Sequence, residues 1–152
     1  MKMLIASDHA GFRLKEKLKA YLEKKHIQIK DLGTYSEERC NYPELASYLA
    51  EDISRGIHKQ GILICKSGIG NSIVANRYAG VRAALSYSVK AAKFSREHND
   101  SNVLVLGAAF VNEKTAKKIV HVWMETKFLG GRHRKRLNQL KKIEEEIRKW
   151  KT

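Results

Sequence analysis

The sequence is short of several features that define large classes of proteins. It has two cysteines, Cys40 and Cys65, and therefore lacks the cysteine framework of a small disulfide-stabilised secreted domain. It contains no apolar run of the length that crosses a membrane and no secretory h-region. From these absences we expect a reduced, cytoplasmic protein.

Two phosphate-binding motifs are also missing from the glycine-rich stretch at 61–80, GILICKSGIGNSIVANRYAG. The Walker motif places Lys and Ser or Thr after its second glycine, whereas Lys66 and Ser67 precede the glycines here. The dinucleotide fingerprint requires a third glycine where Ile73 stands, and no acidic residue closes the next apolar strand. We therefore expect no nicotinamide cofactor.

Acidic side chains are scarce relative to basic ones. Sixteen Asp and Glu face thirty Lys and Arg, which gives a formal net charge of +14. Such a charge attracts polyanions, so nucleic-acid binding has to be considered, but no aromatic-rich basic groove or known DNA-binding pattern is present. We interpret many of the lysines as the solvated faces of helices, among them Lys15, Lys17, Lys19, Lys24 and Lys25.

The apolar pattern predicts one domain, 1–152, in which strands and helices alternate. The chain has 152 residues, of which 43% are hydrophobic, enough for one core. Strands are predicted at 3–6, 27–31, 62–64, 81–85 and 103–106, and helices at 12–25, 43–55, from Asn71 or Ser72 to Gly80, 89–96, 113–127 and 132–150. Alternation favours parallel pairing with right-handed crossovers. The predicted fold is a Rossmann-like α/β/α three-layer sandwich with a five-stranded parallel sheet.

The stretch 61–80 combines a strand, a turn and the start of a helix. Gly68 and Gly70 allow a sharp turn, and Asn71 or Ser72 can cap the helix that follows. The unpaired N–H groups at a helix start favour an anionic oxygen, and their field should also make the thiol of Cys65 ionise more easily. The alternative is that Cys65 is an inert buried residue that closes an apolar strand.

Three other residues lie where ligands collect in a parallel sheet. Asp8 and His9 follow the first strand directly, at the edge where Cys65 ends its own strand. Tyr42 precedes Pro43 at the start of a helix, where it can line a pocket. The alternatives are that Asp8 only caps the next helix and that Tyr42 only packs.

Arginines begin the last predicted helix, after Gly130-Gly131. Arg132 and Arg136 are four residues apart and share a face, but cations at a helix start oppose the macrodipole, at a cost of about 0.3–1 kcal/mol each. A bound anion explains them better than helix stability does, and Arg grips phosphate bidentately. The alternative is a basic tail that binds nucleic acid and also uses Arg134, Lys135, Lys141 and Lys142. An apolar stripe on the same helix indicates instead that the helix docks on its own domain or on a partner subunit. The stripe consists of Leu137, Leu140, Ile143 and Ile147.

Taken together, these segments resemble the ribose-5-phosphate isomerase B family, whose relatives include the galactose-6-phosphate isomerase subunits. The likeness runs nearly end to end. It rests on IASDHAG at 5–11, GTYSEE at 33–38, the YP pair at 42–43, GILIC and SGIG within 61–70, SREHN at 95–99, and GGRH at 130–133 with Arg136.

The resemblance implies reversible aldose–ketose isomerisation of a sugar phosphate through an enediolate, without metal or cofactor. Interconversion of ribose 5-phosphate and ribulose 5-phosphate, in the pentose phosphate pathway, is the leading expectation. A six-carbon sugar phosphate of the galactose 6-phosphate or allose 6-phosphate type is the alternative, and a polyanion-binding protein without activity is a third. The family further implies a homodimer or a dimer of dimers, with sites at the subunit interface.

The resemblance also assigns roles to individual residues. Cys65 is expected to be the base, and Ser67 to assist with hydroxyl protons. Asp8 and His98 are expected to open the sugar ring. Substrate contacts are expected from His9, Tyr42, Gly68, Gly70, Asn71, Asn99, Arg132 and Arg136, with the two arginines and His9 on the phosphate and the loop N–H groups on the enediolate oxygen.

Two positions depart from the family pattern. Lys66 stands where many members carry glycine, and Ala109 stands where many carry an arginine associated with phosphate binding. Lys66 is therefore a further candidate: it restores the missing positive charge by lowering the thiol pKa or reaching the phosphate, or it points to solvent.

Overall fold

The structure of the chain is a computed structural model that describes residues 2–150. Within these residues each of five strands is followed by a helix, and a sixth helix follows the fifth. The predicted domain, 1–152, includes Met1, Lys151 and Thr152, which lie outside the described residues. The strands are β1 (Met3–Ser7), β2 (Ile29–Asp31), β3 (Gly61–Cys65), β4 (Ala83–Leu85) and β5 (Val103–Gly107). The helices are α1 (Phe12–Lys24), α2 (Tyr42–Ser54), α3 (Ile69–Ala75), α4 (Val89–Asn99), α5 (Glu113–Glu125) and α6 (Arg132–Lys149).

The sheet confirms the predicted three-layer α/β fold. All pairings are parallel, in the order β2-β1-β3-β5-β4. Because successive strand side chains point to opposite faces, the central strands feed two cores. Ile62 of β3 packs with α1, α4 and α5, whereas its neighbour Leu63 packs with α2 and α3. The carboxyl ends of β1, β3 and β5 therefore meet at one edge of the sheet.

Helix α3 is shorter than predicted and begins differently. It ends at Ala75 instead of continuing to Gly80, because the side chain of Asn76 bonds Ala83 through both its Nδ2 and its Oδ1, at 2.9 and 2.8 Å. The residue at its start is Gly68, which has no side chain to cap it. The prediction that Asn71 or Ser72 caps this helix was therefore wrong.

Helix α4 is longer than predicted, and this changes the setting of two candidate residues. It continues to Asn99, so His98 and Asn99 lie in its last turn. The helix ends at Asp100, a left-handed residue with φ 44°, whose carboxylate accepts a hydrogen bond from Arg96 at 2.8 Å. Ser88 caps the other end by accepting a hydrogen bond from the backbone N–H of Ala91.

One of the lysines interpreted as solvated is fully buried. The ammonium group of Lys15 lies 2.5 Å from the carboxylate of Asp31, which also accepts from Lys19 at 2.7 Å and from the backbone N–H of Gly33 at 2.9 Å. The prediction was wrong for Lys15 because its position continues the apolar stripe of α1, where only a paired charge is tolerated. Lys24 and Lys25 are exposed as predicted.

Helix α6 leaves most of its apolar stripe uncovered. The helix contacts the rest of the chain through Glu144, among other residues: its carboxylate accepts a hydrogen bond from the backbone N–H of Gly80 at 3.1 Å. Leu140, Ile143 and Ile147 nevertheless remain 47%, 49% and 40% exposed. Within residues 2–150 no helix combines the length and the apolar character that a membrane span requires.

Candidate active site

The thiol of Cys65 lies at the carboxyl end of the central strand β3. The side chain is only 4% exposed, and the backbone N–H of Gly68 donates to its sulfur at 3.1 Å. The N–H groups of Ser67 and Asn71 also interact with this sulfur. Three backbone donors from one turn thus converge on a single atom, an arrangement that stabilises negative charge at that point.

The surroundings of the thiol disfavour its ionisation, contrary to the sequence-based expectation. Burial raises the pKa of Cys65 above its ordinary value, and the negative charge of Asp8 raises it further. The backbone N–H groups act in the opposite direction but do not outweigh burial. Lys66, the candidate for lowering this pKa, is exposed to solvent.

Two glycines allow the turn to close around the sulfur. Gly68 has φ 81°, and a Cβ there would lie 2.4 Å from Cδ1 of Leu85. A Cβ on Gly70 would lie 2.4 Å from the ring of Tyr42, which therefore packs directly against the turn. Tyr42 is 37% exposed, so it forms part of the rim of this site.

Asp8 and His9 border the same turn from the end of β1. The backbone N–H of Asp8 donates to the carbonyl of Ile64 at 3.2 Å, and its carboxylate accepts from the backbone N–H of Gly11 at 3.0 Å, just before α1. Asp8 is only 7% exposed, and its charge reaches Cys65. Nδ1 of His9 lies 3.2 Å from the carbonyl oxygen and 3.3 Å from the backbone nitrogen of Cys40. Nε2 of His9 makes no such contact with Cys40.

Ser67 and Asn71 complete this group, which we call the thiol cluster. The hydroxyl of Ser67 accepts from the backbone N–H of Ile69 at 3.2 Å, and its carbonyl accepts from Tyr87 at 2.7 Å. Asn71 is 2% exposed. The thiol cluster consists of Asp8, His9, Tyr42, Cys65, Ser67, Gly68, Gly70 and Asn71.

The remaining candidates are His98, Asn99, Arg132 and Arg136. Together with His133 they form a second group, which we call the histidine cluster. The ring of His98 stacks between Phe94 and His133, at centroid distances of 4.8 and 4.4 Å. His98, Asn99, His133 and Arg136 line a groove of about 450 Å³. Arg132 is the first residue of α6 and is exposed.

His133 was not singled out from the sequence. It is 6% exposed, and burial lowers its pKa, with further contributions from His98, Arg132 and Arg136. The neutral form of His133 is therefore favoured. Its position one and two turns before Leu137 and Leu140 on the apolar stripe of α6 is the signal that could have revealed it.

The two clusters lie at opposite edges of the sheet. Cys65 is the last residue of β3. Asn99 lies near the other end of this strand, because the carbonyl of Asn102, three residues later, accepts a hydrogen bond from the backbone N–H of Gly61, the first residue of β3. The five residues of this strand span about 13 Å, so the fold separates the clusters within one chain. A larger groove of about 800 Å³ lies between α6 and the segment after α3, away from Cys65, and contains neither the thiol nor Asp8.

Known proteins share both the sequence and the fold. Residues 3–140 match the family described as Ribose/Galactose Isomerase. Ribose-5-phosphate isomerase B of Escherichia coli is 41% identical over 144 residues, which cover 95% of this chain and 97% of that protein. The structure of ribose-5-phosphate isomerase B from Clostridium thermocellum superposes with a TM-score of 0.94 at 39% identity, over 97% of this chain and 99% of that one.

A further solved relative contains a sugar phosphate. Ribose-5-phosphate isomerase B from Mycoplasma genitalium, solved with bound ribulose-5-phosphate, has a TM-score of 0.91 and 37% identity, with 95% of this chain and 97% of that chain covered. These similarities extend over nearly the whole chain and agree with the resemblance found in the separate motifs. The protein belongs to the ribose/galactose isomerase family.

Proposed function

We propose that this protein interconverts ribose 5-phosphate and ribulose 5-phosphate, with Cys65 as the base. The observation that carries the proposal is the buried sulfur at a strand end, on which backbone N–H groups converge beside the carboxylate of Asp8. The full-length relatedness to ribose-5-phosphate isomerases B supports the choice of substrate.

The proposed chemistry is a proton shuttle between neighbouring carbons. The thiolate of Cys65 removes the proton from C2 of the open-chain aldose, and the electron pair moves into the carbonyl to give an enediolate. The same proton then returns to C1, while the hydroxyl of Ser67 exchanges protons with the sugar oxygens. The N–H group of Gly70 stabilises the enediolate oxygen, which is where negative charge develops, while the N–H group of Gly68 remains on the sulfur of Cys65.

Phosphate binding is assigned to His9, Arg132 and Arg136. Because Nδ1 of His9 lies against the backbone of Cys40, its Nε2 is the nitrogen left to face a ligand. The guanidinium groups supply bidentate donors, and a bound phosphate dianion offsets the unfavourable position of two cations at the start of α6. Asn99, beside Arg136 in the groove, contacts the sugar.

Ring opening requires one group to protonate the ring oxygen and another to take the hydroxyl proton. Histidine suits this exchange near neutral pH, and His98 is therefore assigned to it together with Asp8. These two residues belong to different clusters, so the assignment requires the histidine cluster of a second chain. The proposal therefore includes a homodimer, or a dimer of such dimers, with each site at the subunit interface.

The apolar stripe of α6 supports the dimer independently. Leu140, Ile143 and Ile147 are exposed by 40% or more, and the same helix carries Arg132 and Arg136. A partner that covers the stripe would bring those arginines with it. We place the reaction in the pentose phosphate pathway in the cytoplasm.

A coupled assay tests the proposed reaction directly. The purified protein should convert ribose 5-phosphate, without loss of activity in EDTA because no metal takes part, and Cys65→Ala should abolish turnover. An active alanine variant would rule out the thiol as the base. The family name also covers galactose isomerases, so a six-carbon sugar phosphate is the second candidate. The ratio of kcat/KM for ribose 5-phosphate to that for allose 6-phosphate or galactose 6-phosphate decides between them.

A further inference from the structure

Three consecutive carbonyl groups of the turn after β3 are each held by one hydrogen bond. The carbonyls of Cys65 and Lys66 accept from the backbone N–H groups of 108–109, the segment directly after β5, both at 2.9 Å. The carbonyl of Ser67 accepts from the hydroxyl of Tyr87 at 2.7 Å. The first two carbonyls are therefore fixed by backbone, whereas the third depends on a side chain.

This third carbonyl shares a peptide unit with a donor to the sulfur. Because the peptide bond is planar and trans, the carbonyl of Ser67 and the N–H of Gly68 lie in one plane and point in opposite directions. That N–H donates to the sulfur of Cys65 at 3.1 Å. The unit therefore has a hydrogen bond at each end, and the bond at its oxygen polarises the unit and strengthens its N–H as a donor.

The surroundings of Tyr87 hold its hydroxyl at the turn. Its ring lies against that of Phe110, with the centroids 5.0 Å apart and the planes tilted by 41°. The carbonyl of Ser67 packs closely on the end of β5, because a Cβ added to Gly107 would lie 2.4 Å from its oxygen. Tyr87 is 41% exposed, so its ring adds less to the core than a buried aromatic ring would. The contact of its hydroxyl with the turn is therefore its most specific interaction.

We propose that Tyr87 is a positioning residue for the base: its hydroxyl fixes the 67–68 peptide unit, so that the N–H of Gly68 stays directed at the sulfur of Cys65 and stabilises the thiolate. Burial raises the pKa of this thiol, and the N–H of Gly68 is the strongest of the groups that lower it. The importance of Tyr87 for turnover rests on the proposed function, whereas its effect on the sulfur does not.

A change at Tyr87 leaves the titratable groups around the thiol in place. Asp8 acts on the sulfur from the end of β1, where its charge raises the thiol pKa, and His9 follows it. Lys66 lies in the turn and is exposed, and Tyr42 packs on the turn from α2. Helix α3 and the five residues after β5 contain no charged side chain. An altered titration of the thiol would therefore report on the peptide unit.

Tyr87→Phe keeps the ring and removes the hydroxyl. The titration of Cys65, followed by NMR through a ¹³C-labelled Cβ and assigned with Cys65→Ala, should move to higher pH because the thiolate loses a well-oriented donor. At neutral pH, kcat/KM for ribose 5-phosphate should fall by about twofold to tenfold, the effect of one neutral hydrogen bond. The loss should disappear at high pH, where the thiol is ionised in both proteins.

Tyr35→Phe is the matched control. The hydroxyl of Tyr35 also donates to a backbone carbonyl, that of Asp31, at 3.1 Å. The N–H of the same peptide unit belongs to Leu32 and donates to the carbonyl of Ile5 within the sheet. Removal of this hydroxyl should therefore leave both the titration of Cys65 and the kinetics unchanged.

The outcomes separate this role from a structural one and from the proposed function. An unmoved titration of Cys65 in Tyr87→Phe would overturn the role of Tyr87, even if kcat/KM fell at every pH. An equal movement in Tyr35→Phe would also overturn it, because the effect would then be general. Natural protein that turns over no sugar phosphate would contradict the proposed function instead, and the NMR titration would still decide the role of Tyr87.

Discussion

Two inactive variants of this protein should regain activity when they are combined in one dimer. The first variant, Cys65→Ala, removes the proposed base from the thiol cluster. The second, Arg132→Ala with Arg136→Ala, removes the proposed phosphate contacts of the histidine cluster. Both arginines are exposed and stand at a helix start that disfavours cations, so their removal should not destabilise the fold.

The expected magnitudes follow from the separation of the clusters. Each charge-assisted bond to phosphate contributes about 1.5–3 kcal/mol, so the loss of two should lower kcat/KM by about 10²- to 10⁴-fold. When the variants are co-expressed at equal levels, about half of the dimers are mixed, and each mixed dimer contains one intact site and one doubly damaged site. Activity should therefore recover to about a quarter of the natural value.

The assay is ribose 5-phosphate turnover by co-expressed chains with two different affinity tags, purified over both tags in sequence. Mixed dimers isolated in this way should have about half of the natural specific activity. As a control, a chain with all three substitutions, co-purified with the natural chain, should give mixed dimers without activity, because each of their sites lacks one cluster. Mixed dimers of the two variants without activity would refute the shared site.

Three further predictions follow from individual contacts. Because the proposed base acts only as a thiolate, kcat/KM should rise with pH through the raised pKa of Cys65. The charge of Asp8 raises that pKa, so Asp8→Asn should move this limb of the pH–rate profile to lower pH, and an unmoved limb would contradict the coupling. His98→Asn should slow consumption of ribose 5-phosphate by about 10²- to 10⁴-fold. Consumption of ribulose 5-phosphate should slow much less, because the ketose has no free C5 hydroxyl with which to close a ring. Equal losses in stopped-flow assays of both directions would argue against a role in ring opening. Gly68→Ala should lower the free energy of unfolding in urea by about 1–3 kcal/mol more than Gly80→Ala does. Both glycines have positive φ, but only a Cβ added at Gly68 meets neighbouring atoms. Equal losses of free energy would show that crowding at the turn is unimportant.

The sequence predicted most of the sheet because its strands are short apolar runs between polar segments. The runs at β3 and β5 are buried along their whole length, so their pattern was unambiguous. Helix ends were harder to predict. His98 and Asn99 gave no apolar signal for the last turn of α4, whose end depends on Asp100 and its contact with Arg96.

The thiol cluster was predicted more completely than its electrostatics. Residues that follow strands collect at one sheet edge by topology alone, which brought Asp8 and Cys65 together. The direction of the pKa shift at Cys65 could not be read locally, because a short segment does not show how deeply its thiol is buried. The burial of Lys15 was hidden for a similar reason: its partner Asp31 is sixteen residues away in the sequence.

The placement of complementary clusters at opposite ends of the strands also constrains how copies of the chain can join. Joined head to tail, such chains would leave one cluster open at each end and could grow into filaments. Pairing about a twofold axis uses up all four clusters at once and gives a particle of fixed size. In this protein, the symmetry that completes catalysis would therefore also prevent polymerisation.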